Sequence, residues 1–92
     1  MEYPRPFNVV LSLRGHDAGK LFMVTGASED RVLLCDGKTR RLANPKCKSP
    51  KHVRIAAEGS QNPPVSDREI RETIALTARE AAAKEVRLLG KR

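Results

Sequence analysis

The sequence predicts a mainly β protein in which five short strands close into a small barrel and one C-terminal α-helix follows. Three observations carry this expectation. In the first half, apolar residues alternate or cluster in short runs bounded by Gly, Asp and Ser, the pattern of strands. Turn signals separate those runs at close intervals, Asp36-Gly37 being the strongest of them. Beyond a stretch rich in Gly, Ser, Asn and Pro, the composition changes to Ala, Glu and Arg behind an N-capping signature, which is the mark of a helix.

The first strand is expected at residues 7–14, with Val9, Leu11 and Leu13 on one face and Asn8, Val10, Ser12 and Arg14 on the other. A tight connection, Gly15-His16-Asp17-Ala18-Gly19, leads to the second at residues 20–25. Its two glycines mark backbone positions that call for positive φ. Ser28, Glu29 and Asp30 form a polar turn before a third strand at residues 31–35. The Asp36-Gly37 hairpin then delivers a basic fourth strand at residues 38–42. Pro45 and Pro50 bracket a loop that leads to a fifth strand at residues 52–56.

The barrel therefore occupies residues 1–56 and a linker residues 57–65, with a helical unit at 66–92. Ser66-Asp67-Arg68-Glu69 fits a capping box, and the helix should run from Asp67 to Leu89. Acidic Asp67, Glu69 and Glu72 suit its N-terminus, while Gly90, Lys91 and Arg92 suit its C-terminus. Its apolar stripe, Ile70, Ile74, Thr77 or Ala78, Ala81 and Leu88, thins where alanine buries little area. The N-terminal turns are expected to dock on the barrel.

Charge narrows the function. Eighteen Lys and Arg against eleven Asp and Glu leave a formal charge of +7, which calls for a polyanionic partner. Seven of the cations, Lys38, Arg40, Arg41, Lys46, Lys48, Lys51 and Arg54, fall within seventeen positions that hold no acid. Crowded on a hairpin and its loop, they repel one another unless phosphate neutralises them. Arg14 joins them on charge alone.

Only Tyr3, Phe7 and Phe22 are aromatic, and both phenylalanines lie in strand patterns as core. Single-strand binders need rings on which bases stack, and grooves for proline-rich peptides are lined with them. Recognition of folded RNA through its backbone fits the composition better.

Gly15 to Lys20 is not a P-loop: three residues separate its glycines instead of four, Leu21 follows the lysine, and a strand comes next. Such a loop can still present amides to a phosphate. Residues 9–37 resemble a KOW motif, with Gly19-Lys20 as its central pair. Gly15-x-Asp17-x-Gly19-Lys20, Asp36-Gly37-Lys38-x-Arg40 and Pro45-Lys46-x-Lys48-x-x-Lys51-His52-Val53 together resemble small bacterial KOW-domain RNA-binding proteins. Those are relatives of the archaeal and eukaryotic large-subunit ribosomal protein fourteen-e. The resemblance spans about residues 8–56 and implies an SH3-like barrel that contacts structured RNA through Lys20, Lys38, Arg40, Lys46, Lys48, Lys51 and His52. Arg14, Arg41 and Arg54 are added from charge, and Gly15, Gly19, Asp36 and Gly37 serve as turn residues.

Other chemistries find little support. His16, Cys35, Cys47 and His52 are scattered where structural zinc sites pair their ligands two to five residues apart. No carboxylate pair sits in an apolar run, and Asp17 beside His16 reads as turn chemistry. Neither a leader nor a spanning segment is expected, because Glu2, Arg5, Asn8 and Arg14 interrupt the first apolar residues. The expected protein is a cytoplasmic, non-catalytic, cofactor-free monomer that binds ribosomal or other structured RNA in translation. The competing expectation is a protein-interaction adaptor that docks its barrel or helix on ribosomal proteins or the transcription machinery.

Overall fold

The computed structural model describes residues 3–58 and 66–89. It is mainly β: a five-stranded antiparallel sheet, barrel-like in its packing, plus one C-terminal helix. The strands are β1 (Val9–Ser12), β2 (Leu21–Ala27), β3 (Val32–Cys35), β4 (Lys46–Lys48) and β5 (Val53–Ala57). They lie in the order β4-β3-β2-β1-β5. A 3-10 turn at Pro50–His52 precedes β5, capped by Ser49, whose Oγ accepts the Lys51 amide at 3.3 Å. Helix α1 covers Asp67–Leu89, the range the sequence predicts.

β2 explains how the layers stack. Phe22, Met23 and Val24 are all buried in succession, so both faces of this strand are covered. Phe22 and Val24 join Val10, Val32, Leu34 and Val53 in the barrel interior, with Ile55 packed at its margin. Met23 points the other way, into a second cluster with Cys35 and Ile70 that Leu42 and Ile74 complete. Val9, paired with Met23 in the ladder, shares that outer face and is fully buried. The outer layer is α1, whose first turns supply Ile70 at 0% exposure.

That second layer corrects the expected facing of the first strand. Val10 is in the barrel core, Ser12 is buried, Leu11 is half-buried and Leu13 is 44% exposed. The alternation misleads here because apolar residues are wanted on both faces near Val9 and Val10, where a register shift also interrupts the pairing with β5. Phe7 is likewise outside any strand. It adopts φ +73° in a turn and is half-buried, while its amide donates to the Val24 carbonyl at 2.6 Å.

The fourth strand is displaced. Residues 38–42 form no strand because Asp36 folds the chain back on itself: its Oδ1 accepts the Lys38 amide at 2.8 Å and the Arg40 amide at 2.9 Å. Those donors are then lost to a ladder, a local side-chain alternative to sheet. Pairing resumes at Lys46–Lys48, opposite Leu34 to Val32. Ala57 ends β5, so the linker begins later than expected, and residues 59–65 lie outside the described ones.

The capping of α1 follows the sequence in part. Ser66 Oγ accepts the Glu69 amide at 3.3 Å. Ile74 is half-buried and Thr77 buried, its hydroxyl bonded back to the Thr73 carbonyl, whereas Ala78 and Ala81 are exposed. Among the described side chains of the helix, which end at residue 83, the docking stripe reaches no further than Thr77, and that of Leu88 lies outside them. Among the described residues, no helix is long and apolar enough to cross a membrane.

Candidate nucleic-acid interface

Strand pairing gathers the basic segments. Leu11 pairs with Leu21, Met23 with Cys35, and Ser12 with Val53. The loop from β1 to β2, the loop from β3 to β4 and the turn before β5 therefore all emerge at one end of the sheet. Arg14 and Lys20 come from the first, Lys38, Arg40 and Arg41 from the second, and Lys51 and His52 from the third.

The first loop is self-contained. Gly15 and Gly19 take φ +86° and +88°, as their spacing predicts. The Ala18 amide donates to Gly15, the Gly19 amide to Ser12 and the Lys20 amide to Asp17, at 2.8 to 3.1 Å. With those three donors engaged internally, they are not available as an amide cradle for phosphate, and the loop offers side chains instead. His16 and Lys20 are exposed, but Asp17 turns inward and is buried.

Asp17 closes the barrel. Its Oδ2 meets Lys46 Nζ at 2.6 Å, and its Oδ1 meets Lys48 Nζ at 2.9 Å and accepts from Ser12 Oγ at 2.7 Å. Lys48 Nζ also donates to the Arg14 carbonyl at 2.8 Å and to Ser12 Oγ at 3.2 Å. One lysine thus reaches from edge strand β4 to the end of β1, bridging a sheet whose ladder leaves β4 and β5 unpaired. Burial would raise the Asp17 pKa. Hydrogen bonds from Lys46, Ser12 and Lys48, with the Lys48 charge, outweigh it and hold the carboxyl well below the usual carboxylate range.

Lys46 and Lys48 consequently differ from the other predicted contacts. The Lys48 side chain is only 9% exposed and has its ammonium engaged within the fold, whereas Lys46 is 30% exposed at the mouth of a cleft. That cleft, about 170 Å³, is lined by Asp17, Lys20, Phe22, Asp36, Thr39, Arg40 and Lys46. It brings the two basic loops together. Arg14, Lys20, Lys38, Arg41, Lys51 and Arg54 are exposed, and Arg40 and His52 half-buried. Among the described residues, none of these makes an ion pair with a carboxylate. Arg54 stands apart from the loops, on strand β5 opposite Leu11.

The β3–β4 loop has two further anchors that sequence reasoning missed. The Leu42 amide donates to Asp67 Oδ1 at 2.8 Å, and Arg71 Nη1 donates to the Gly37 carbonyl at 2.7 Å. Asp67 reads in the sequence only as a helix-start acid, and Arg71 as one more surface cation. Cys35 Sγ lies 3.4 Å from the Arg41 carbonyl, and burial pushes its thiol pKa up, with Asp67 and Asp36 adding to the rise against a contact from Thr25. Cys47 is exposed on β4. Among the described residues, no three His, Cys, Asp or Glu side chains gather as a metal site. Comparison with known proteins finds no family model and no curated protein that matches this sequence.

Proposed function

We propose that this chain is a non-catalytic RNA-binding protein of the KOW type that holds the backbone of a structured RNA against the loop end of its barrel. The observation that carries the reading is the convergence there of Arg14, Lys20, Lys38, Arg40, Arg41 and Lys51, cations without carboxylate partners among the described residues. Like charges held together on a small surface repel one another, and bound phosphates relieve that repulsion while releasing counterions. Lys46 contributes from the cleft, and Lys48 shapes the surface without touching the ligand. The scarcity of rings favours a folded RNA over a single strand. The resemblance over residues 8–56 makes ribosomal RNA in the cytoplasm the first ligand to try.

Binding of a labelled ribosomal RNA hairpin, measured by fluorescence anisotropy across a salt series, tests this. Contact with about five phosphates weakens affinity by roughly two to three decades between 50 and 200 mM salt. The double variant Arg40→Ala, Arg41→Ala should bind more weakly and with a shallower slope. Equal affinity and slope in that variant would count against the interface, and a salt-independent affinity in the unaltered protein would remove RNA backbone as its ligand.

A further inference from the structure

The segment that carries Lys38, Arg40 and Arg41 is fastened at both ends to the start of α1. At one end Arg71 Nη1 holds the Gly37 carbonyl at 2.7 Å, and at the other Asp67 Oδ1 holds the Leu42 amide at 2.8 Å. The helix approaches Gly37 closely enough to exclude any side chain. A Cβ there would run into the Asp67 carbonyl oxygen and lie 2.7 Å from Arg71 Cγ, and the residue's φ of +80° already disfavours one. Leu42 completes the apolar cluster of Met23, Cys35 and Ile70 beneath the helix.

We infer that the first two turns of α1 act as a template for the basic loop, with Asp67 and Arg71 as positioning residues that set where Lys38, Arg40 and Arg41 meet the RNA backbone. Three cations on four consecutive positions repel one another. Without the helix the loop would keep its local ties: the Asp36 carboxylate contacts, the Asp36 and Gly37 amides on the Arg40 carbonyl, and Arg41 Nε on the Lys38 carbonyl. It would lose both outer anchors, and RNA binding would have to re-order it at an entropic cost. The helix removes that cost in advance. It presses on backbone at Gly37 and on a backbone amide at Leu42, so the basic side chains between them stay outside the helix–loop junction and remain turned to solvent or the cleft. This assigns a role in ligand recognition to a helix that lies outside the stretch resembling KOW proteins, and it rests on the RNA reading above.

The full chain is compared with Arg71→Met, Arg71→Lys and Asp67→Ala by amide hydrogen exchange, thermal melting and binding to the same ribosomal RNA hairpin. Arg71→Met should speed exchange at residues 38–42 and weaken binding about 3- to 10-fold per folded molecule. Its salt slope should fall by about 0.9 for each phosphate that the loosened loop no longer neutralises. Arg71→Lys, which can still donate to Gly37, should recover part of the affinity, and Asp67→Ala, which has no acceptor, should free the Leu42 amide. Variants that melt earlier yet bind with unchanged affinity and slope per folded molecule would show a merely structural role and overturn the inference while leaving the RNA reading intact. An unaltered protein that fails to bind the hairpin in any salt would overturn both.

Discussion

Replacing Asp17 by Ala tests whether the carboxylate is the latch of the barrel. The substitution removes the only carboxylate paired with Lys48 among the described residues and leaves that ammonium in a side chain 9% exposed. Breaking a buried pair from one side costs about 3 to 5 kcal/mol, because the remaining charge is stranded. The lower end applies here. Lys46, 30% exposed, can swing into water, and Lys48 keeps the Arg14 carbonyl and Ser12 Oγ as acceptors. A loss of about 3 kcal/mol is a large share of the roughly 5 to 14 kcal/mol available to a chain this short. The melting temperature followed by circular dichroism should fall by roughly 12 to 24 °C.

A second substitution separates the cost of a stranded charge from that of a missing hydrogen bond. Adding Lys48→Met to Asp17→Ala replaces the buried ammonium by an apolar chain of similar length, and such exchanges are often neutral or better. The double variant should recover most of the loss. A single variant within about 1 kcal/mol of the parent, or a double variant no more stable than the single one, would refute the latch. Acid supplies an independent check. The native Asp17 carboxyl titrates below its unfolded value of about 3.9, so an unfolded chain takes up a proton where the native one does not. Its stabilisation is complete above about pH 5 and shrinks as pH falls towards the native pKa, so the stability of Asp17→Ala should vary less across that window.

Ile70→Ala should cost about 2 to 4 kcal/mol, since the side chain is fully buried between α1 and the sheet, and urea unfolding reads that loss directly. Gly37→Ala should destabilise by more than the few tenths expected of a surface change, because backbone conformation and helix packing both oppose a Cβ; faster exchange at Leu42 would locate the damage. In the native protein a thiol reagent should modify Cys47 promptly and Cys35 only on unfolding, because Cys35 is buried and its thiol pKa raised; modification of both at one rate would contradict the packing.

What the sequence could disclose follows from the range of the interactions involved. The helix limits were legible because Ser66, the first-turn acids and the alanine-rich run are local signals. So were the positive φ of Gly15 and Gly19 and the approximate places of β2 and β3. Two features were illegible for opposite reasons. Asp36 captures the Lys38 and Arg40 amides, a local choice that overrode an equally local hairpin signal and moved β4 to Lys46–Lys48. The pairing of Asp17 with Lys46 and Lys48 spans 29 and 31 positions, and nothing local distinguishes those lysines from Lys51. Charge patterning therefore found a basic surface but could not tell a cation that shapes it from one that faces outwards.

That distinction makes a prediction which simple charge counting reverses. The acids nearest the loop end all serve its shape: Asp17 holds Lys46 and Lys48, Asp36 Oδ1 accepts two amides of the basic loop, and Asp67 Oδ1 accepts a third. Asp36→Ala raises the formal charge from +7 to +8, since one of eleven acids is lost against eighteen cations. If the surface attracts RNA only by its charge, the variant should bind a ribosomal RNA hairpin more tightly and with a steeper salt slope. If the placement of Lys38 and Arg40 matters, releasing their amides loosens the loop and affinity should fall about 3- to 10-fold despite the added charge. Asp36 is half-buried and outside both core clusters, so the barrel should remain folded for the comparison. Tighter binding by Asp36→Ala would mean that the loop's shape contributes nothing and that its cations act as a diffuse field.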